Sequence, residues 1–155
     1  MGSDPTRIVA DSDVLCADLF VEGPARETMD LLRAHDWLTL VASDALVSEA
    51  ETAIARLSEP SLAVDWRVRI DDLREPVEGT PGDHAALSSA YRGEAAHVVS
   101  FDDRLRSAET AARLRGRLST SVKHPAGFVR LFDAASLYEA VVGGEYAGPD
   151  RDPRA

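Results

Sequence analysis

The chain has 155 residues, enough for one domain with a single hydrophobic core. Its formal net charge of -10 excludes nucleic-acid binding through bulk positive charge, although this argument weakens in a salt-rich cell because salt screens charges. A single cysteine, Cys16, excludes an internal disulfide, and the sequence holds no run of 18 apolar residues. We therefore expect a cytoplasmic protein without a membrane partner.

Short apolar runs alternate along the chain with segments of helical periodicity. Ser43 has the position of a helix N-cap, and the segment PVEGTPG interrupts the chain with prolines and glycines. In chain order the predicted elements are a strand over 8–10, helices over 14–19 and 24–35, a strand over 38–42, helices over 44–57, 61–75 and 83–91, a strand over 96–101, a helix over 102–114, a strand over 117–122, and one or two helices within 125–142. We predict a single domain over 1–147 and a disordered tail over 148–155.

The predicted strands are apolar throughout instead of alternating, and helices separate them. This pattern predicts an α/β fold, a three-layer sandwich whose central parallel sheet of about four strands is flanked by helices. In open α/β sheets, ligands bind outside the carboxyl ends of the strands. Asp11 and Asp13 follow the first predicted strand, and Asp102 and Asp103 follow the third. These carboxylates are therefore the first candidates for a functional site.

Two further acids are candidates for the same edge of the sheet. Glu49 lies about two turns into the helix after the second strand, and Asp83 begins the helix that leads into the third strand. Carboxylates that converge on one place repel each other unless a cation joins them, and a hard cation such as Mg²⁺ prefers oxygen ligands. Together with Asp11 and Asp102, these acids predict metal-assisted phosphoryl transfer.

Four segments of the chain together resemble the PIN domain nucleases. VADSDVL resembles the Asp-Thr-Asn-Val-Leu opening of that family, and SDALVSEAETAIARL resembles its Ser-Pro-x-x-x-x-Glu helix. DHAALSSAYRGEAAHVVSFDDRL is similar to the family's Asp-x-x-x-x-x-x-Ala segment that runs into Val-Thr-Gly-Asp. VKHPAGFVRLF is similar to its Ser-Pro-x-x-Phe close. The resemblance covers about residues 7 to 132.

The resemblance implies a PIN-like fold and a Mg²⁺- or Mn²⁺-dependent ribonuclease that hydrolyses RNA, often as a toxin or an RNA-processing factor. Carried over by position, it implies that Ser100 positions the substrate and that four acids form the catalytic and metal-binding set: Asp11, Glu49, Asp83 and Asp102. An acidic composition with 16 arginines and one lysine favours a halophilic, haloarchaeal member. The sequence leaves open an antitoxin or other protein partner and a homodimer.

Two positions depart from the family pattern. Asp13 stands where the family commonly has Asn and adds a carboxylate that can recruit metal, and Phe101 replaces a small glycine beside Asp102. Arg104 and Arg106 come next, and they are predicted either to position the substrate on a phosphate track or to form a solvated helix face. The same track would include Arg113, Arg115 and Arg117.

Three alternative interpretations stay open. In the first, Asp11, Asp83 and Asp102 only cap helices, while Glu49 and its neighbour Glu51 are solvated surface residues. In the second, a PIN-like domain has lost catalysis and only binds a partner. The third is a phosphorelay receiver domain, in which Mg²⁺ lies beside a phosphorylated Asp. A receiver needs an acceptor Asp at the end of a middle strand, and the sequence offers none at that place.

Overall fold

A computed structural model describes residues 3–107 and 120–154, which form five strands and seven helices. The strands are β1 (Asp4–Ala10), β2 (Thr39–Ser43), β3 (Arg74–Val77), β4 (Ala95–Val99) and β5 (Ser121–Lys123). The helices are α1 (Ser12–Phe20), α2 (Pro24–Ala34), α3 (Asp44–Leu57), α4 (Pro60–Leu73), α5 (Ala85–Gly93), α6 (Pro125–Leu131) and α7 (Ala134–Val141). None of these helices is both long and apolar enough to cross a membrane.

The five strands form one parallel sheet in the order β3-β2-β1-β4-β5. Helices flank this sheet, so the predicted three-layer α/β sandwich is confirmed. The central strand β1 is buried, and Ile8, Val9 and Ala10 expose no surface. A parallel strand covered on both faces has no solvent side, which explains why its sequence is apolar without alternation.

Local sequence signals fix several of the helix ends. Ser43 caps α3 as predicted, because its hydroxyl accepts a hydrogen bond from the backbone N–H of Leu46 at 3.2 Å. Gly93 ends α5 where the helix meets the sheet, and a Cβ at this position would lie 2.3 Å from Cγ1 of Val41. Only glycine therefore lets the end of α5 lie this close to β2.

The edge strand β3 was missed, because the sequence was predicted to be helical up to residue 75. In the structure α4 ends at Leu73, and residues 74–77 pair with β2 from Leu40↔Arg74 to Ser43↔Val77. Pro76 argues against a central strand but is compatible with an edge strand, which needs hydrogen bonds on one side only. The open edge of β2 supplies the partner that the local sequence does not reveal.

The predicted helix over 83–91 begins two residues later than expected. His84 is the N-cap of α5, and its Nδ1 accepts a hydrogen bond from the backbone N–H of Ala86 at 3.2 Å. Asp83 is therefore not a helix cap, so the capping interpretation is wrong for this acid.

The helix predicted over 102–114 is also wrong where the structure describes it, since residues 103–106 form turns. The N–H of Leu105 donates to the carbonyl of Asp102 at 3.1 Å, and the N–H of Arg106 donates to that of Asp103 at 3.2 Å. These are the tight i→i+3 contacts of turns. The rest of that helix, the start of the strand predicted over 117–122, and the arginines at 113, 115 and 117 lie outside the described residues.

In contrast to the disordered tail predicted over 148–155, residues 148–154 contact the C-terminal end of α2. The N–H of Asp150 donates to the carbonyl of Ala34 at 2.8 Å, and a carboxylate oxygen of Asp150 accepts from the N–H of Asp36 at 2.8 Å. Arg154 pairs with Asp30 at 2.9 Å. These partners are distant in the sequence, so the polar composition of the tail gave no sign of them.

Candidate functional site

The order of the strands reverses between β1 and β4. The chain adds β2 and β3 on one side of β1 and then crosses to add β4 and β5 on the other side. In open α/β sheets, the crevice outside the carboxyl ends of the strands at such a reversal is the usual place for a ligand. Asp11 follows β1, and Ser100 and Asp102 follow β4. The fold therefore brings these three predicted residues to one place.

Asp11 is both a helix cap and a member of this group. Its side chain is 4% exposed, and Oδ1 accepts from the N–H of Ser12, at the start of α1, at 2.8 Å. Its other carboxylate oxygen accepts a hydrogen bond from the hydroxyl of Ser100 at 2.7 Å. The capping interpretation is thus correct for Asp11, but it accounts for only one of the two carboxylate oxygens.

Ser100 connects the two strand ends. Its backbone N–H donates to the carbonyl of Lys123 at 2.9 Å, which holds the end of β4 against β5. Its hydroxyl donates to Asp11 and accepts from the N–H of Asp102 at 3.0 Å. Ser100 is fully buried, so these contacts are shielded from water. Its role in the structure is to fix Asp11 relative to the loop that carries Asp102.

Asp13 lies in the first turn of α1 and is half-buried. One carboxylate oxygen, Oδ2, accepts from the N–H of Phe101 at 3.2 Å. The other, Oδ1, is buried and has no hydrogen-bond partner among the described residues. Burial, followed by the charges of Asp11 and Asp102, raises the pKa of Asp13 to about 6. An acidic oxygen without a partner among the described residues is a place that a proton, a water or a cation can satisfy.

Asp102 is held by its neighbour Arg104. One oxygen accepts from the backbone N–H of Arg104 at 2.9 Å and from its Nε at 3.2 Å, and the other lies 3.2 Å from Nη2. These contacts lower the pKa of Asp102, and the charge of His84 acts in the same direction. The side chain of Asp102 is 25% exposed, so it is more accessible than Asp11.

Glu49 and Asp83 lie elsewhere, in a cleft of about 550 Å³ beside α3 and the loop before α5. Both are exposed, and neither has a hydrogen bond or an ion pair with another described side chain. The cleft also contains Asp44 and Glu78. Asp83 directly precedes His84, whose charge reaches Asp102, so the two acidic regions are neighbours on the carboxyl side of the sheet.

Glu51 is a structural residue. Its carboxylate accepts from Nη1 of Arg67 on α4 at 2.9 Å, and the ion pair ties α3 to α4. Glu51 is thus engaged in an ion pair, whereas Glu49, the predicted candidate, has no such contact with a described side chain.

The expected convergence of four acids is not present as a formed metal site. Among residues 3–107 and 120–154, no group of three or more His, Cys, Asp or Glu side chains has an arrangement that could hold a metal ion. The donor chemistry nevertheless fits a hard cation, because Asp11, Asp13 and Asp102 offer only oxygen atoms and one of these is buried without a partner. Binding would require the Asp102 carboxylate to exchange Arg104 for the cation.

The two predicted substrate-positioning arginines differ in their surroundings. The Arg104 side chain is 91% exposed and contacts Asp102, whereas Arg106 is half-buried and pairs with Asp103. The Nε atom of Arg106 is buried without a hydrogen-bond partner in the described part of the chain. The ion pair between Arg104 and Asp102 was not predicted from the sequence. Their separation by two residues within a turn is short enough for their side chains to meet.

Phe101 is partly buried and packs against the hydrophobic core. Its ring meets that of His124 edge to face, with 5.1 Å between the ring centroids. His124 caps α6, where its Nδ1 accepts from the N–H of Ala126 at 3.0 Å. This bulky residue beside Asp102 therefore has a packing partner of its own.

Comparison with known families assigns the chain to a family, but that family has no described activity. Residues 2–154 match a family model described as a family of unknown function (DUF7384), so the chain belongs to that family. No curated protein and no solved structure matches the chain.

Proposed function

We propose that this member of the DUF7384 family is a Mg²⁺- or Mn²⁺-dependent endoribonuclease whose cation binds at the reversal of the strand order. The observation that carries the proposal is the buried, unpartnered Oδ1 of Asp13, which lies in a group with Asp11 and Asp102. Hard divalent cations satisfy such oxygens, and the resemblance to PIN nucleases supports RNA as the substrate. We expect the protein to act in the cytoplasm.

Asp11, Asp13 and Asp102 would hold the ion, and Glu49 and Asp83 would act from the neighbouring cleft. When bound, a divalent cation lowers the pKa of a coordinated water and neutralises charge on the scissile phosphate. Ser100 has a positioning role, because its hydroxyl orients one oxygen of Asp11 and anchors the backbone of Asp102.

Arg104 and Arg106 would contact the RNA backbone. Arg104 is almost fully exposed, so it can leave Asp102 for a phosphate oxygen when a cation takes its place. Arginine suits this role because its planar guanidinium donates two parallel hydrogen bonds to a phosphate. RNA binding would then depend on a few placed arginines and on the cation, which is compatible with a net charge of -10.

A catalytically inactive binding domain is the second candidate, and one observation favours it. Arg104 contacts both oxygens of Asp102, which is what an ion-paired structural residue would show. In this case the binding partner could be an antitoxin, another protein or a second copy of the chain. The receiver-domain alternative is disfavoured by the strand order, since receiver domains have the order 2-1-3-4-5 and this sheet has β3-β2-β1-β4-β5.

The first test is cation binding, measured as the change in melting temperature with Mn²⁺. A ligand that binds only the folded protein stabilises it by about 2.7 kcal/mol at a concentration of 100 times Kd. We expect this gain in the wild type and in Asp103→Asn, whose altered residue is 91% exposed. Asp13→Asn and Asp102→Asn should lose most of it. An equal gain in all four proteins would place the ion elsewhere.

The second test is hydrolysis of single-stranded RNA with Mg²⁺ or Mn²⁺. Asp102→Asn should reduce the rate by orders of magnitude, because the ion is no longer held. Asp103→Asn, one residue along, is the matched control and should cut at the rate of the wild type. If the wild type binds Mn²⁺ but cuts no RNA, the inactive binding domain becomes the better interpretation.

A further inference from the structure

A second cavity is lined by none of the three carboxylates of the candidate site. It has a volume of about 460 Å³ and is bounded by β4, β5, α6 and α7. Half of its eight lining residues are apolar and half carry polar or charged side chains. The residues that line it are His97, Lys123, Phe128, Leu131, Phe132, Asp133, Ser136 and Leu137. A partly apolar cavity of this size with a few polar groups is typical of a small-molecule site.

Lys123 is the only lysine of the chain, and its side chain is half-buried in this cavity. Its ammonium group donates to the hydroxyl of Ser121 at 2.8 Å. Nδ1 of His97 lies 3.1 Å from the same hydroxyl oxygen. In the described part of the chain, no carboxylate forms an ion pair with Lys123. Among residues 3–107 and 120–154, the cation therefore lacks the counter-ion that a partly buried charge needs.

The one carboxylate in the cavity wall is already engaged. Asp133 caps α7, and its two oxygens accept from the backbone N–H of Ser136 at 3.1 Å and from its hydroxyl at 2.9 Å. Asp133 is exposed, and its pKa is lowered by these hydrogen bonds from Ser136. It is thus fixed as a cap at the rim and does not neutralise Lys123.

The histidine in the cavity adds no positive charge. Burial, together with the charge of Lys123, lowers the pKa of His97 to about 4, so the ring is neutral at pH 7. Burial also lowers the pKa of Lys123. The pKa of His97 falls mainly because its ring is buried, and the pKa of Lys123 falls because its ammonium group is partly desolvated. An anionic ligand paired with Lys123 would offset the free energy lost when the ammonium group is desolvated.

The apolar part of the cavity suits a flat body. Phe128 and Phe132 contact each other with ring centroids 5.4 Å apart, and the ring of His97 meets Phe128 edge to face at 5.7 Å. Leu131 is 71% exposed, which leaves apolar surface available to a ligand. Aromatic faces and aliphatic carbons of this kind bind planar hydrocarbon groups.

We propose that this cavity binds a small monocarboxylate with a flat apolar body, its carboxylate paired with Lys123 and its body against Leu131 and Phe132, while the buried Phe128 supports Phe132 from behind. A single negative charge matches the single cation. A phosphate monoester is disfavoured, because its second charge would be unpaired and would be repelled by Asp133 at the rim. The site is independent of the proposed nuclease site and stands or falls separately.

The test uses the intact protein, in which Lys123 is the only lysine and can therefore be observed by selective labelling. Protein grown with ¹³C-labelled lysine gives one set of lysine signals, and 2-naphthoate is the probe. We expect its addition to shift the Lys123 signals saturably. Calorimetry should show that 2-naphthalenemethanol, which has the same rings without the charge, binds about tenfold or more weakly, as should 2-naphthyl phosphate.

Two variants complete the experiment. Lys123→Gln should weaken naphthoate binding about tenfold or more and should fold, because it removes a partly buried charge. Arg130→Gln, which alters an exposed cation of α6 that does not line the cavity, should bind naphthoate as the wild type does. Unmoved lysine signals, equal binding of the acid and the alcohol, unchanged binding by Lys123→Gln, or tighter binding of the phosphate would overturn the proposal.

Discussion

Replacing Asp13 measures how much the burial of its charge among other acids lowers the free energy of unfolding. The variant Asp13→Asn removes the charge, while its amide oxygen can still accept the hydrogen bond from the N–H of Phe101. The pKa of Asp13 rises from an ordinary 3.8 to about 6, which corresponds to at most about 3 kcal/mol. Because the side chain is half-buried and water screens part of the effect, we expect about 1–2 kcal/mol.

The sign of the effect depends on pH. Below pH 4 the carboxyl is protonated in both the folded and the unfolded chain, so it adds no penalty. Between about pH 4 and pH 6 the unfolded chain loses this proton while the folded chain retains it, and the free energy of unfolding falls as pH rises. Above pH 6 the folded protein contains the charged form, and the full penalty applies.

The assay is urea unfolding of the wild type and Asp13→Asn between pH 3.5 and pH 8, with a chelator present. The variant should equal the wild type below pH 4 and become more stable by about 1–2 kcal/mol at pH 7. Groups far from Asp13 titrate alike in both proteins, so their contributions cancel in the difference, and the lost repulsion between Asp13 and its neighbours Asp11 and Asp102 is part of the expected gain. A difference that does not change with pH, or a variant less stable at pH 7, would refute the argument that Asp13 is desolvated and unpaired.

Three other predictions concern stability. Arg33→Gln removes the ion-pair partner of Asp18, whose side chain is only 7% exposed, and should lower the free energy of unfolding by about 3 kcal/mol. Adding Asp18→Asn removes the unpaired charge, so a double-mutant cycle should show that most of this loss is restored. Gly93→Ala should cost about 2 kcal/mol by urea unfolding because its Cβ would collide with Val41, whereas Gly127→Ala, with open space around the new methyl, should cost nothing. Lowering the ionic strength should lower the melting temperature, since 27 acidic residues then repel each other more strongly; an unchanged or higher value would contradict the salt-adaptation hypothesis.

The fold was predictable where local signals and the global arrangement agree. The apolar run at Ile8 identified β1, and Ser43 with the helical periodicity after it gave the start of α3 correctly. β3 was not predictable in this way, because Arg74 and Glu75 look like the end of a charged helix. Their place in the sheet depends on tertiary contacts: Arg74 donates to the carbonyl of Ala42 at 2.9 Å, and Glu75 pairs with Arg7.

The site was predictable to the level of strand ends and no further. Asp11 and Asp102 were identified because they follow strands that a parallel sheet must place side by side. Glu49 and Asp83 were expected at the same point, but the sequence does not fix the distance between a helix turn and a strand end. The unpartnered oxygen of Asp13 is a property of packing, and only the structure reveals it.

Two buried aspartates of this fold differ in how their surroundings treat the carboxylate charge. Asp18 and Asp11 are similarly buried, at 7% and 4% exposed. Asp18 receives the guanidinium of Arg33 on both oxygens, so its charge is neutralised. Asp11 receives only uncharged donors, the N–H of Ser12 and the hydroxyl of Ser100. Such donors orient a carboxylate without cancelling its charge, so Asp11 and its neighbour Asp13 keep an attraction for cations that Asp18 has lost.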